Sequence, residues 1–312
     1  MAHGFSFSEI TLISCISFIA LLYFAHKSYQ QHHSYHKTSV LSSPLQTNEF
    51  VEQPSPSSPL VLMDLNDVLL DFSSSAAFKF MGAKIAFWFW QLWGTSMDKP
   101  VERVFEFLSL IEGETLEKID PESPHIRFIP TYRNMRIPGI TVAWMKGDIT
   151  TAELLKKIET GLDTFSSFFT STKEKKVIAK LVQLFFDPHV RAKVYRLIPK
   201  GVKLAKLCKK YGYRLILVSN MDADIIPLLQ EKYPDLFNLF DDMVISANIH
   251  MIKPEKKIFE YLIQHFSLTP KDTYFIDDQP SNVAAAREFG ITSFLFGTIR
   301  RAEDLFPLTP DF

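Results

Sequence analysis

The sequence predicts an α/β protein, a doubly wound and mostly parallel sheet with an α-helical cap inserted after its first strand. Two observations lead there. Short apolar runs alternate with helical patterns, and several of the runs are continuously apolar, as strands buried on both faces of a parallel sheet are. One long interval, between the first run and the second, breaks this alternation and reads mostly as helix.

The strand candidates are Leu60–Met63, Arg214–Val218, Met243–Ser246, Thr273–Ile276 and Thr292–Phe296. Helix candidates between them are Gly201–Lys210, Asp224–Lys232, Glu255–His265 and Ser281–Phe289, with Pro254 expected in the first turn of the third. Within the long interval, Phe87–Trp93, Val101–Ile111, Thr151–Leu162 and Glu174–Phe186 carry helical patterns. An insert of that size at the active-site edge of a sheet is a natural lid. Its aromatic run, Ala86-Phe-Trp-Phe-Trp-Gln-Leu-Trp93, suits the core of a helical cap, a hydrophobic substrate wall or a membrane-dipping face. The expected organisation is a hydrophobic segment over 1–26, a linker over 27–58 and a folded domain over 59–312. That domain divides into a core of 59–72 and 199–312 and a cap of 73–198.

The composition is that of an ordinary folded protein, with 312 residues, 46% hydrophobic and 22% charged. A formal net charge of -1 supplies no global attraction to nucleic acid, and no nucleic-acid partner is expected. Cys15 and Cys208 give neither a disulfide framework nor a zinc spacing.

Ile10 to Ala25 carries no charge and, with Phe5 and Phe7, approaches the roughly 20 residues of a spanning helix. No Lys or Arg precedes it, unlike the basic start of a cleaved signal peptide. Lys27 and Lys37 follow it, so the positive-inside rule places the bulk of the chain on the cytoplasmic side of a single-pass membrane anchor. Export after signal cleavage is the alternative. Residues 27–58 are rich in Ser, Gln, His and Pro and lack periodicity, which makes them a tether; solvated linker histidines explain His26, His32, His33 and His36 better than a metal site does.

Chemistry-bearing residues gather at the strand ends, where open α/β sheets hold ligands. Asp64 follows the first strand in Leu62-Met-Asp64-Leu-Asn66-Asp67, and Ser219-Asn220 ends the second. Lys253 stands just before a helix, and the fourth strand ends in Asp277-Asp278 with Asn282 beyond. Hard carboxylate oxygens suit Mg²⁺, while a lysine, a hydroxyl and backbone amides suit a phosphate. Singly, each feature is a common cap or turn. In order, each after its own strand, they form a divalent-cation site beside an oxyanion site.

That ordered set resembles the haloacid dehalogenase superfamily, mostly magnesium-dependent phosphatases with a Rossmann-like core. Asp64 matches the first motif, Ser219 the second, Lys253 the third, and Asp277-Asp278 with Asn282 the fourth. Gly147-Asp-Ile-Thr-Thr-Ala-Glu-Leu154 is similar to the turn-plus-helix of the small helical caps in this group. The resemblance implies a small phosphorylated substrate and an aspartyl-phosphate on Asp64 that water then hydrolyses. It implies Mg²⁺ held by Asp64, the Asn66 carbonyl and Asp278, with phosphate held by Ser219, the Asn220 amide and Lys253. Asp277 and Asn282 are then expected to orient these groups.

One position departs from the pattern. The phosphatases usually carry a second aspartate two residues after the nucleophile as general acid and base, and this chain has Asn66, which has no titratable proton. Asp67 is expected to point elsewhere. The leading expectation is a weakened or specialised phosphohydrolase suited to good leaving groups. The other is a non-catalytic phospho-ligand-binding or scaffold protein on a membrane tether. Dehalogenating relatives also lack the second aspartate, but they need no Mg²⁺, and this chain keeps the metal-site aspartates.

Overall fold

A computed structural model describes residues 59–96, 98–116, 129–132 and 135–299. The expectations for residues 1–58 lie outside the described residues. No described helix is long and apolar enough to cross a membrane.

The strands in chain order are β1 (Leu60–Met63), β2 (Leu70–Phe72), β3 (Thr131–Tyr132), β4 (Met135–Arg136), β5 (Tyr195–Leu197), β6 (Arg214–Ser219), β7 (Asp242–Ile245), β8 (Thr273–Asp277) and β9 (Thr292–Leu295). Five of them make one sheet in the order β7-β6-β1-β8-β9. Every neighbouring pair in it is parallel. From β1 the chain builds outward first through β6 and β7, then on the other side through β8 and β9. The strand order therefore reverses at β1, and the ends of β6, β1 and β8 lie side by side at the place where such sheets bind ligands.

The apolar runs are continuous because both faces of the sheet are covered. Val61, Met63, Leu215, Leu217 and Ile276 pack on one face with Leu204 and Ala205 of the helix Pro199–Lys210 and Leu229 of Ile225–Lys232. Leu60, Leu62, Ile216, Val218 and Phe275 pack on the other with Phe259 and Leu262 of Lys256–Phe266 and Ala286 of Pro280–Glu288. Each fully buried Leu or Phe contributes about 1.5–3 kcal/mol of transfer free energy, so the sheet is the rigid element of the molecule.

Close backbone approach matters at Gly201. A Cβ there would collide with the carbonyl oxygen of Val68, so only glycine lets this helix close on the loop that follows β1. Pro254 is not in a first helical turn. The helix begins at Lys256, and the Lys253–Pro254 peptide bond is cis.

The long interval is helical, with Ser74–Met81, Ala83–Trp93, Asp98–Glu112, Gly139–Met145, Thr151–Thr164, Thr172–Phe186 and Pro188–Val194. Its own core includes Phe107, Leu108, Leu154, Val177 and Ile178, all fully buried. The chain passes between this unit and the sheet through β2 and β5, an antiparallel pair carrying the Asp71–Arg196 ion pair at 2.8 Å. Thr150 and Glu153 form a capping box that starts the helix within the quoted Gly147–Leu154 segment. Beside it, Ser246 Oγ donates to the Met145 carbonyl at 2.6 Å, and Lys146 pairs with Glu255 at 2.7 Å. These contacts fasten the helical unit next to the loop that carries Lys253.

The aromatic run divides by face. Phe89 is buried in the helical core, with Trp88, Leu92 and Trp93 packed against it, whereas Phe87 and Trp90 are exposed. Phe89 and Trp90 also line the cavity described below, so one helix serves both as core and as wall.

Candidate active site

Asp64 is placed by the sheet itself. Its backbone N–H donates to the Ile276 carbonyl at 2.9 Å, continuing the β1–β8 ladder by one residue. Its Oδ1 accepts from the Leu65 N–H at 2.7 Å and meets Lys253 Nζ at 2.9 Å. Lys253 is buried, and its ammonium has three partners. Besides Asp64 it meets Asp277 Oδ2 at 2.8 Å and donates to the Val218 carbonyl at 2.7 Å. Burial opposes the lysine's charge, but the carboxylates of Asp277 and Asp64 override it and hold its pKa above the ordinary value.

Asn220 sets the Lys253 loop. Its side-chain amide donates to the Lys253 carbonyl at 2.7 Å and accepts from the Lys253 N–H at 2.8 Å. Asp277 is wholly buried, and its Oδ1 accepts from the Gln279 N–H at 2.8 Å and from Asn282 Nδ2 at 2.9 Å. Both of its oxygens are thus engaged in holding Lys253 and the loop after β8. Asp278 faces the cavity, and its Oδ2 accepts from Gln279 Nε2 at 2.6 Å.

Among the described residues, Asp64, Asp277 and Asp278 can bring one carboxylate oxygen each within 4.8 Å of one another. Burial pushes Asp64 up to about 6 against the pull of Lys253, with Asp277 adding to the rise. Asp278 is pushed up to about 9 by burial and then by the charges of Asp277, Asp64 and Asp67. Three acids facing one lysine lack a second positive charge. Ser219 Oγ and Asn66 Oδ1 are buried polar atoms with no hydrogen-bond partner among the described residues. Oxygen donors short of a cation beside unsatisfied polar groups fit a hard divalent ion and an oxyanion.

A cavity of about 950 Å³ lies over this edge of the sheet. Asp64, Asn66, Asn220, Lys253, Asp278 and Asn282 line it, whereas Ser219 and Asp277 are fully buried and do not. Asp67 corrects the expectation that it points away. With φ at +55° it turns the loop sharply, is exposed, and lines the same cavity. Arg191 was not anticipated at all. It lines the cavity, is buried, forms an ion pair with Asp222 and lies over the Trp144 ring at 5.1 Å. Asp67 was discoverable from its place in the first loop. Arg191 was not, because its partner lies in another element and no local pattern marks it.

Comparison with known proteins identifies the family. The sequence profile of the haloacid dehalogenase-like hydrolases matches residues 59–290. The chain is 30% identical over 97 residues to the bifunctional epoxide hydrolase 2 of Rattus norvegicus, covering 30% of this chain and 18% of that protein. It is 28% identical over 88 residues to a sesquiterpene phosphatase of Aspergillus oryzae, covering 28% of this chain and 44% of that one. The matched segment thus spans less than half the length of either relative. A haloacid dehalogenase family enzyme of Bacteroides thetaiotaomicron, solved with magnesium and inorganic phosphate, is similar at 18% identity and a TM-score of 0.43, covering 76% of this chain and 93% of that one. The profile match takes in β1 with Asp64, the helical insert, the strand ends bearing Ser219 and Asp278 and the loop bearing Lys253, and on that match the chain belongs to the haloacid dehalogenase-like hydrolase family.

Proposed function

We propose that this hydrolase is a Mg²⁺-dependent phosphomonoesterase that works through an aspartyl-phosphate on Asp64. The observation that carries the reading is the position of Asp64, in contact with Lys253 at 2.9 Å and beside Asp278 at the cavity floor. A carboxylate oxygen of Asp64 attacks phosphorus, the alcohol oxygen leaves with the bonding pair, and water later cleaves the acyl phosphate. Lys253 holds Asp64 in place and offsets charge on the phosphoryl oxygens, which the Asn220 backbone N–H also binds. When bound by Asp64, Asp278 and the Asn66 carbonyl, Mg²⁺ neutralises phosphoryl charge. Asp277 and Asn282 keep Lys253 and the Asp278 loop in register. The relative named as a phosphatase supports this chemistry.

Asn66 gives the leaving group no proton, so acyl and aryl phosphates are the substrates best served by the native residue. A screen with Mg²⁺, acetyl phosphate and an aryl phosphate tests the reading. Turnover that Asp64→Asn abolishes supports it. Ligand binding without turnover favours the second reading, a non-catalytic phospho-ligand-binding protein, for which Asn66 is the specific observation.

Mg²⁺ binding should be coupled to proton release. Asp278 is pushed up to about 9, so near pH 7 it holds a proton that the metal must displace. Affinity should therefore tighten as pH rises from about 6 towards 9, by up to about tenfold per unit for one displaced proton. Calorimetry in buffers of different ionisation enthalpy measures the released proton, and Asp278→Ala should bind Mg²⁺ far more weakly. Equal binding by wild type and variant would mean the metal site is elsewhere.

We further propose that the Ile10–Ala25 run anchors the protein in a membrane with the hydrolase on the cytoplasmic side, as its uncharged sequence and following lysines suggest. Fractionation should find the full chain with membranes and a chain lacking residues 1–58 in the soluble fraction. Soluble full-length protein with an intact N-terminus would sink this idea.

A further inference from the structure

The phosphate-binding end occupies only a small part of the cavity. At about 950 Å³ the whole is near the upper end of the roughly 300–1,000 Å³ found for small-molecule sites. The rest of its wall is largely carbon. Phe72, Phe78, Phe89, Val101, Phe105 and Phe186 contribute to it from β2 and four helices of the insert. Of the charged residues in the lining away from the phosphate end, Asp71 pairs with Arg196 and Arg191 with Asp222, and Asp98, the third, also has a partner. Thr141 Oγ1 is a buried hydroxyl in the lining without a partner among the described residues. A polyhydroxylated group seated among those rings would lose its water without regaining hydrogen bonds from them, whereas an apolar group loses nothing by the same transfer.

Resting on the phosphohydrolase reading of the polar end, we propose that the substrate is the phosphomonoester of a bulky, largely apolar alcohol or phenol. Its hydrocarbon body lies against the aromatic wall of the insert, with Thr141 available to one polar group on it. The insert is then the specificity element, and the sheet edge is indifferent to what the phosphate is attached to.

The test separates this from the catalytic reading by measuring binding and turnover independently. Methyl-, butyl- and octylphosphonate carry a phosphoryl group that cannot be hydrolysed. Their affinity for the full chain with Mg²⁺ is measured by calorimetry, with inorganic phosphate as competitor. Affinity should rise by up to about threefold to fourfold per methylene, and even at about twofold for each of the seven added methylenes octylphosphonate binds at least about 100-fold more tightly than methylphosphonate. Phosphate should displace it, which lipid or detergent partitioning would not show. Val101→Trp narrows the apolar end and should weaken octylphosphonate by more than about tenfold while leaving methylphosphonate within about twofold. A flat series, or tighter binding of ribose 5-phosphate than of octylphosphonate, overturns the proposal. Aryl phosphate turnover in the same preparation reports on the phosphatase reading alone. An inert protein that still shows the chain-length series keeps the ligand class and removes the catalysis.

Discussion

Asn66→Asp should raise the turnover of an alkyl phosphate by about 10²–10⁴-fold, the range that general acid–base help supplies. Asn66 lines the cavity with Asp64 and Asp278, and its buried Oδ1 has no partner among the described residues. A nearly isosteric carboxyl there disturbs little packing. Neighbouring carboxylates would hold its proton to higher pH, which suits a general acid. The gain should be greatest for poor leaving groups, which need protonation as the P–O bond breaks. For an aryl phosphate it should appear mainly in hydrolysis of the aspartyl-phosphate, and any stalled intermediate should disappear. Asp64→Asn should remove activity in both backgrounds. Steady-state and single-turnover kinetics on the four proteins decide the matter. If wild type already cleaves alkyl phosphates as fast as Asn66→Asp while depending on Asp64, another residue is the acid. If all four are inert, the binding reading gains.

Lys253→Ala should lower stability by about 3–5 kcal/mol, because it leaves two buried carboxylates without their counter-charge. The ammonium meets Asp64, Asp277 and the Val218 carbonyl within 2.9 Å and is 1% exposed. At about 2–4 °C per kcal/mol for a domain of this size, the melting temperature should fall by roughly 10 °C. Thermal unfolding of Lys253→Ala and of Lys253→Ala with Asp277→Asn checks the cause. The double variant should recover part of the loss, since one stranded charge is gone. A single variant within about 1 kcal/mol of wild type would show that the buried triad is not held by its charge.

Much of the site was legible because strand ends are local features. β1 is a run of apolar residues followed directly by an acid, and β6 and β8 run on by one polar residue to Ser219 and Asp277. Such runs read as buried strands wherever the two faces of a sheet are covered, and the acids must then fall at one edge. The capping box at Thr150 and Glu153 is likewise local, since its partners lie three residues apart, and it starts the helix that the resemblance placed within Gly147–Leu154.

Other features depend on partners far along the chain. The β2–β5 pair joins three-residue strands more than a hundred positions apart, too short for either to carry a signal of its own. The hairpin of β3 and β4, two residues each, is below any periodicity. Helical pattern identified the aromatic segment of the insert, but packing against the other helices selected Phe89 for the interior and left Phe87 exposed. Asp67 turned into the cavity because the loop after β1 closes its own hydrogen bonds, the Asp67 N–H donating to the Leu70 carbonyl at 2.7 Å. By itself the sequence determined the parallel sheet, the order of chemistry along its edge and the replacement at Asn66. Only the tertiary structure decided how Lys253 divides its three bonds, that Arg191 reaches the cavity, and that the cavity is walled by aromatic rings. Those outcomes rest on burial and charge pairing between distant segments, which no local window of sequence contains.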